Sequence, residues 1–248
     1  MPIGFRPLPR PERLHTRITE VLARRVIQAE QKAQPAVFPR ESDLSRQLGV
    51  SRTILRESMK VLVDKGMIEM KPRAGTRARP RSEWRLLDPD ILAWQAEAYP
   101  DARFLRDLCE VRLAIEPTAA GFAAVRAAPG EIRDIEHSLC EREERARTAG
   151  RQEIIDLDLR FHIAVVAASH NPLLLQLSRI IRQPFRVALA VTSRFPSTLE
   201  LGLESHRALL AAIRKHDPMA ARRAAEEVVG LAMLAVEKAI RSSGRGNS

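Results

Sequence analysis

A glycine set between two short apolar-periodic runs constrains this chain more than any other feature of its sequence. The run 41–48 has helical spacing and stops at Gly49, a residue that ends helices by adopting left-handed backbone. Ser51 stands where an N-cap belongs, and a second helical pattern continues to about Lys65. Two helices joined by a tight glycine-containing turn form a helix-turn-helix. At about 100° per residue with Arg52 at zero, Arg56 falls near ~40°, Lys60 near ~80° and Thr53 near ~100°. Ile54, Leu55, Ser58, Val61 and Leu62 fall roughly between 180° and 300°, so one face packs inward while the opposite face presents cations. Such a helix fits a major groove, where arginine matches guanine edges or phosphates. A solvated charged face has the same composition; the turn and its flanks favour the groove.

Charge is placed unevenly. Residues 1–85 hold 19 Lys and Arg against 9 Asp and Glu, whereas residues 86–248 hold 22 of each. The whole net charge of +10 therefore lies with the helix-turn-helix. A basic module joined to a neutral one suggests a polyanion reader attached to something else. Only 4% of residues are aromatic, and abundant Ala and Leu favour packed helices over sheets. Cys109 and Cys140 make no disulfide framework and read as free thiols of a reducing compartment. No apolar run could span a bilayer and no leader pattern precedes the first helix, so a soluble cytoplasmic protein without membrane contact is expected.

Four prolines among the first eleven residues predict irregular chain, and 12–32 then reads as an amphipathic helix through Leu14, Ile18, Leu22 and Val26. Short extended segments are expected at 67–70 and 76–79, around a basic tip that includes Arg73 and Gly75. A helix, a helix-turn-helix and a hairpin make a winged helix, with Gly75 permitting close approach of backbone to DNA. An ordinary solvated hairpin is the plainer alternative. Residues 80–100 read as a linker with one short helix, where Asp88 caps, Pro89 starts the first turn, and Ile91, Leu92 and Trp94 are expected to dock on a neighbouring domain.

From residue 101 successive helices are predicted at 102–127, 130–149, 151–169, 172–193, 198–215 and 217–241, separated by Pro- and Gly-containing breaks. Short turns between long helices imply an antiparallel bundle of six to seven helices. The fold class expected is mainly α: a winged helix-turn-helix over 1–79, the linker, an effector-binding and dimerising bundle over 101–241, and a disordered tail at 242–248.

The helix expected at 151–169 has almost no polar face and belongs at the bundle's centre. Asp158 and His162 lie one turn apart on it, and burying both is costly unless they are paired, hydrogen-bonded or metal-bound. His206 and the Arg112–Glu116 pair can approach them from other helices. Such a cluster suits a small acid, with or without a metal. A satisfied core Asp–His pair is the alternative.

Residues 12–79 resemble the winged helix of the GntR family of bacterial transcription regulators. The resemblance is carried by the Phe38-Pro39-Arg40-Glu41 stretch, the run Leu48 to Thr53, Arg56-Glu57, Gly66 and Gly75-Thr76. The remainder is similar to the effector domain of the FadR-like branch, through Val111-Arg112-Leu113, Glu116-Pro117, Asp158, Phe161-His162, Asn171-Pro172 and His206-Arg207. Residues 81–94 are similar to members governing sugar-acid catabolism, galactonate regulators among them.

The resemblance implies DNA contacts from Arg40, Ser51, Arg52, Thr53, Arg56, Lys60, Arg73 and Gly75. Ser42 stands where the family often has arginine. It also implies an effector pocket of Arg112, Glu116, Asp158, His162 and His206, and in many relatives a divalent metal such as zinc, manganese or nickel held by one Asp and three His. Asp158, His162 and His206 match three of those ligands, but the fourth position is Val228, which cannot ligate. A homodimer on a pseudo-palindromic double-stranded operator, repressing until a sugar acid or other small carboxylate binds, is the expected function, without enzymatic activity. A helical metal-dependent hydrolase carrying a DNA-binding module and a constitutive DNA-binding dimer are the alternatives.

Overall fold

The computed structural model describes residues 12–34, 36–71, 75–98, 102–146, 148–192 and 196–244. The chain divides into two compact units, the first ending at Ala98 and the second starting at Tyr99.

In the first unit, α1 (Glu12–Gln31), α2 (Glu41–Leu48) and α3 (Arg52–Asp64) precede an antiparallel hairpin of β1 (Ile68–Lys71) and β2 (Gly75–Ala78), a short 3-10 turn and α4 (Pro89–Ala98). The apolar stripe of α1 through Ile18, Leu22, Val26 and Ile27 packs in one core with Leu55, Met59 and Leu62 of α3. Gly49 closes α2 with φ 65°, the left-handed conformation that side chains resist. The Ser51 hydroxyl accepts the Ile54 amide at 3.3 Å and starts α3. The turn after α3 needs Gly66 for a second reason. Its φ is 76°, and a β-carbon there would run into the Glu83 carbonyl oxygen.

The hairpin pairs Ile68 with Ala78 and Lys71 with Gly75. Residues 36–38 extend it, because the Ala78 amide donates to the Ala36 carbonyl and the Phe38 amide to the Thr76 carbonyl, at 2.9 and 3.0 Å. The wing tip at 72–74, including the expected DNA contact Arg73, lies outside the described residues.

Residues 81–98 are not a spacer. Trp84, Ile91 and Trp94 share the core of the first unit. Asp88 caps α4 by accepting the amides of Asp90 and Ile91 at 2.9 and 3.3 Å. Lys65, at the end of α3, bridges Asp88 and Asp90 at 2.7 and 2.8 Å. Burial alone would lower that ammonium's pKa, but the two carboxylates outweigh it and raise it. Apolar burial and a half-buried ion triad thus fix the segment that sequence composition read as a linker.

The second unit is α5 (Ala102–Arg126), α6 (Pro129–Arg145), α7 (Arg151–Ala167), α8 (Pro172–Thr192), α9 (Pro196–Arg214) and α10 (Pro218–Gly244). The helices α5, α6 and α8 all pack on α7. Its Ile155, Leu157, Leu159, Phe161 and Val166 are buried, in accord with the nearly continuous apolar run. Phe161 and Val165 meet Ala120, Ala123 and Ala124 of α5, Leu209 and Ile213 of α9 and Ala221 of α10 in one core. The small alanines let α5 and α10 approach closely. Helix α10 continues to Gly244, three residues beyond the end expected from sequence, and the rest of the expected tail lies outside the described residues. The chain is mainly α, a winged helix-turn-helix with a helical bundle.

Candidate functional site

The outward face of α3 carries Arg52, Thr53, Arg56, Glu57 and Lys60, all exposed, while Leu55, Ser58, Met59 and Leu62 are buried. The inward arc is rotated from the angular expectation: Met59 is buried, while Ile54 and Val61 are only half-buried. The cationic arc is unchanged, because Arg52, Arg56 and Lys60 lie on the side away from α1.

Two of these cations already have partners. Arg56 Nε lies 2.7 Å from Glu41 Oε1 on α2, and Lys60 Nζ lies 2.8 Å from Glu57 Oε1. The Lys60–Glu57 pair is solvated and a phosphate would compete for it easily, whereas Glu41 Oε1 is buried beneath Arg56. Arg40 is exposed just before α2, and its carbonyl accepts the amides of Asp43 and Leu44 at 2.9 Å. Ser42 is half-buried on α2, and Gly75 is exposed at the start of β2 with φ 83° and open space about it.

The second cluster lies inside the bundle. Arg112 and Glu116, one turn apart on α5, form a double contact at 2.6 and 3.1 Å. Glu116 Oε2 lies 3.0 Å from His162 Nδ1. His162 Nε2 lies 3.3 Å from Asp158 Oδ2, and His206 Nε2 lies 3.4 Å from Asp158 Oδ1. The other His206 nitrogen, Nδ1, donates to the Gly202 carbonyl one turn earlier on α9. The expected effector residues Arg112, Glu116, Asp158, His162 and His206 are therefore brought into one network.

The sequence reading missed a sixth member. Arg142 of α6, only 5% exposed, places Nη2 3.0 Å from Asp158 Oδ1. A signal for it existed: Arg142 falls three and seven residues after Leu139 and Ile135, in phase with the buried stripe of α6.

Electrostatics hold this network in one charge state. Burial would raise the Glu116 carboxyl, but Arg112 and His162 outweigh it and bring it to about 2. Asp158 is held well below the usual range, burial being overcome by the Arg142 and His162 charges and the His162 hydrogen bond. His162 is raised to about 9, its burial outweighed by Glu116 and Asp158. His206 is lowered by burial, with Arg142 and His162 acting in the same direction against Asp158. At neutral pH two guanidiniums and a cationic His162 face two carboxylates, an excess of one positive charge.

Among the described residues, the cavity beside this network is small. A cavity of about 10 Å³ beside Glu116 and His162, walled by Val165, Leu209, Ala225 and Val228, is about the size of one water. Among the described residues, the charged groups pair with one another and leave no wider opening on this side of the network. A roomier cavity of about 610 Å³ lies in the first unit beside Arg25, Gln28, Lys32 and Phe38, but no buried charged group faces it.

Residues 107–230 match the FCD domain family, and residues 13–77 match the family described as bacterial regulatory proteins, gntR family. The galactonate operon transcriptional repressor of Escherichia coli K12 is 37% identical over 193 residues, covering 76% of this chain and 82% of that protein. The chain belongs to the GntR family. A putative L-lactate dehydrogenase operon regulatory protein of Escherichia coli K12 is 34% identical, covering 75% of this chain and 72% of its own. Among solved structures, Lar of Listeria monocytogenes, titled as controlling expression of the agr system, shares the fold with a TM-score of 0.62 at 15% identity, covering 93% of this chain and 99% of its own.

This GntR-family chain is a DNA-binding transcription regulator with a ligand-responsive FCD domain, not an enzyme. No helix among the described residues is long and apolar enough to cross a membrane. Its Asp158, His162 and His206 place ligand-type atoms within 4.8 Å of one another, the convergence that a metal site requires. Two features of the surroundings stand against a divalent ion. Glu116 at His162 Nδ1 and the Gly202 carbonyl at His206 Nδ1 orient both rings as the partners of metal-binding histidines do, but Asp158 Oδ1 already faces Arg142 and Val228 adds only methyl groups to the wall.

Proposed function

We propose that this chain is a cytoplasmic homodimeric repressor of an operon for catabolism of a sugar acid or related small hydroxy-carboxylate. The acid enters the helical bundle and releases the protein from a pseudo-palindromic operator. The observation that carries the reading is the buried network with one excess positive charge, since a monoanion entering it neutralises what the two carboxylates leave uncompensated. Two relatives support the class: one is named for galactonate, the other for L-lactate dehydrogenase, and galactonate and lactate are both 2-hydroxy acids.

The closed cavity sets the mechanism. The effector's carboxylate competes with Glu116 and Asp158 for the guanidiniums of Arg112 and Arg142, while its hydroxyls exchange hydrogen bonds with His162 and His206. Admitting even a small acid requires α7, α9 and α10 to part around the cavity. The two conformations differ in affinity for the acid, and by linkage they differ in affinity for the operator. Arg40, Arg52, Thr53, Arg56 and Lys60, with Ser42, Ser51, Arg73 and Gly75 beside them, supply the DNA contacts, Arg52 and Arg56 at base edges or phosphates.

A gel-shift series on an operator selected from random-sequence DNA, with galactonate, gluconate and lactate added, tests the reading. Operator release by at least one acid is expected. Binding that is indifferent to every acid would favour a constitutive DNA-binding dimer.

A further inference from the structure

The buried network holds an arginine whose hydrogen-bonding capacity is not used up. Arg142 is 5% exposed and directs Nη2 at Asp158, yet its Nε and Nη1 hydrogens have no partner among the described residues. Unsatisfied donors of a buried guanidinium are costly, and a native fold that keeps them has a use for them. Gly202 of α9 lies alongside. A β-carbon there would sit 3.9 Å from Arg142 Nη2 and 4.0 Å from His206 Cε1, so the missing side chain leaves room over both groups.

The same atoms argue against a metal. An ion held by Asp158, His162 and His206 needs a lone pair from each imidazole and an unencumbered carboxylate oxygen. Here Asp158 Oδ1, the carboxylate oxygen nearest His206, carries the Arg142 guanidinium at 3.0 Å. Val228 closes the adjacent wall with an aliphatic side chain. A fixed cation already stands against the acid that a metal would need.

We propose that the Arg142 guanidinium takes the place of a divalent metal in this bundle, and that it receives the carboxylate of the effector. Nη1 together with Nη2 forms the planar fork that suits a carboxylate, and Nε remains for a hydroxyl of the same acid. The first half stands on the geometry alone. The second half rests on the acid-responsive reading of the bundle.

The test uses the full-length protein, with zinc chloride and galactonate as probes in titration calorimetry. Wild type is expected to take up no stoichiometric zinc, and its galactonate binding to survive EDTA. Arg142→Met is expected to weaken galactonate by roughly thirty-fold or more, the scale for truncating one side of a buried charge contact, with Arg142→Lys intermediate. Combining Arg142→Met with Val228→His removes the fixed cation and restores a fourth ligand, and this variant is expected to bind zinc at one equivalent.

Stoichiometric zinc in wild type, loss of galactonate binding in EDTA, or unchanged galactonate affinity in Arg142→Met would overturn the proposal. Should wild type bind neither galactonate nor gluconate nor lactate, the effector reading fails and the receipt of its carboxylate fails with it. The zinc titrations then still decide what Arg142 replaces. Circular dichroism reports whether the Arg142→Met variants fold. If they do not, Val228→His alone decides: zinc binding with Arg142 present would sink the assignment, and refusal of zinc by a folded Val228→His protein upholds it.

Discussion

Arg142 and Asp158 face each other from α6 and α7, Nη2 3.0 Å from Oδ1, with 6% and 7% of their side chains exposed. Neither could be buried alone. Removing one partner of such a pair leaves an uncompensated charge and costs about 3–5 kcal/mol. Arg142→Met should therefore lower the stability of the full chain by about that amount in urea unfolding. Asp158→Asn added to it should return part of the loss, because the orphaned charge goes with it. A loss below about 1 kcal/mol in the single variant would show that the histidines carry Asp158 unaided.

Gly49 and Gly66 both have positive φ, at 65° and 76°, yet only one is crowded. Nothing lies within 4 Å of a β-carbon at Gly49, whereas at Gly66 the Glu83 carbonyl group blocks it. Gly49→Ala should cost about 1–2 kcal/mol, the left-handed conformation alone. Gly66→Ala adds a backbone collision that can be relieved only by shifting the turn leading to Trp84, and it should cost clearly more. Melting curves of the two variants settle the order. Equal losses would mean that the segment 81–84 yields without cost.

Arg52 has no ion-pair partner among those resolved on the outward face of α3, while Arg56 is held by Glu41. If Arg52 reads a base, Arg52→Ala should weaken operator binding by about 1–3 kcal/mol and leave random DNA nearly unchanged. Arg56→Ala should weaken both and reduce the salt slope of log K by about one, as expected for a lost phosphate contact. Fluorescence anisotropy over a salt series separates the two. Equal losses on both DNAs for Arg52→Ala would reassign it to the backbone.

The fold was legible in sequence wherever local chemistry decides it. Gly49, Ser51 and the Asp88-Pro89 pair mark helix ends by their own backbone preferences, and the structure places helix boundaries beside each of them. The nearly all-apolar run of α7 could only be central. The apolar docking of Ile91 and Trp94 was legible too, but two features that depend on partners remote in sequence were not, the unit their segment joins and the burial of Arg142. The segment 81–98 has the polarity of a linker, and only its tertiary contacts with Lys65 and the first core make it part of that unit. Arg142 looks like one more charge in a run of charged residues 141–145, until Ile135 and Leu139 are seen to put it on the buried side. The three candidate metal ligands were identifiable by spacing and resemblance. That the space between them is closed follows from ion pairing across helices, which no single helix reveals.

The bundle's pH dependence follows from His162. Its folded pKa of about 9 lies above the ordinary 6.5, so the folded state holds the proton more tightly than the unfolded chain. The resulting stabilisation, on the order of 3 kcal/mol, is fully present below about pH 6.5 and is lost as pH rises through about 9. Glu116 acts at the other end. Its carboxyl, lowered from 4.5 to about 2, contributes above about 4.5 and loses that contribution as the solution is acidified towards 2. His206, whose pKa is lowered, favours the folded state above about 6.5 and loses that advantage on acidification. Because these run against one another in wild type, the informative quantity is the difference between wild type and His162→Gln. Urea unfolding from about pH 6 to about pH 9.5 should show that gap widest at the acid end and shrinking through about pH 9. A gap that stays constant, or widens with pH, would mean that His162 is neutral in the folded bundle and that the excess positive charge assigned to the site is absent.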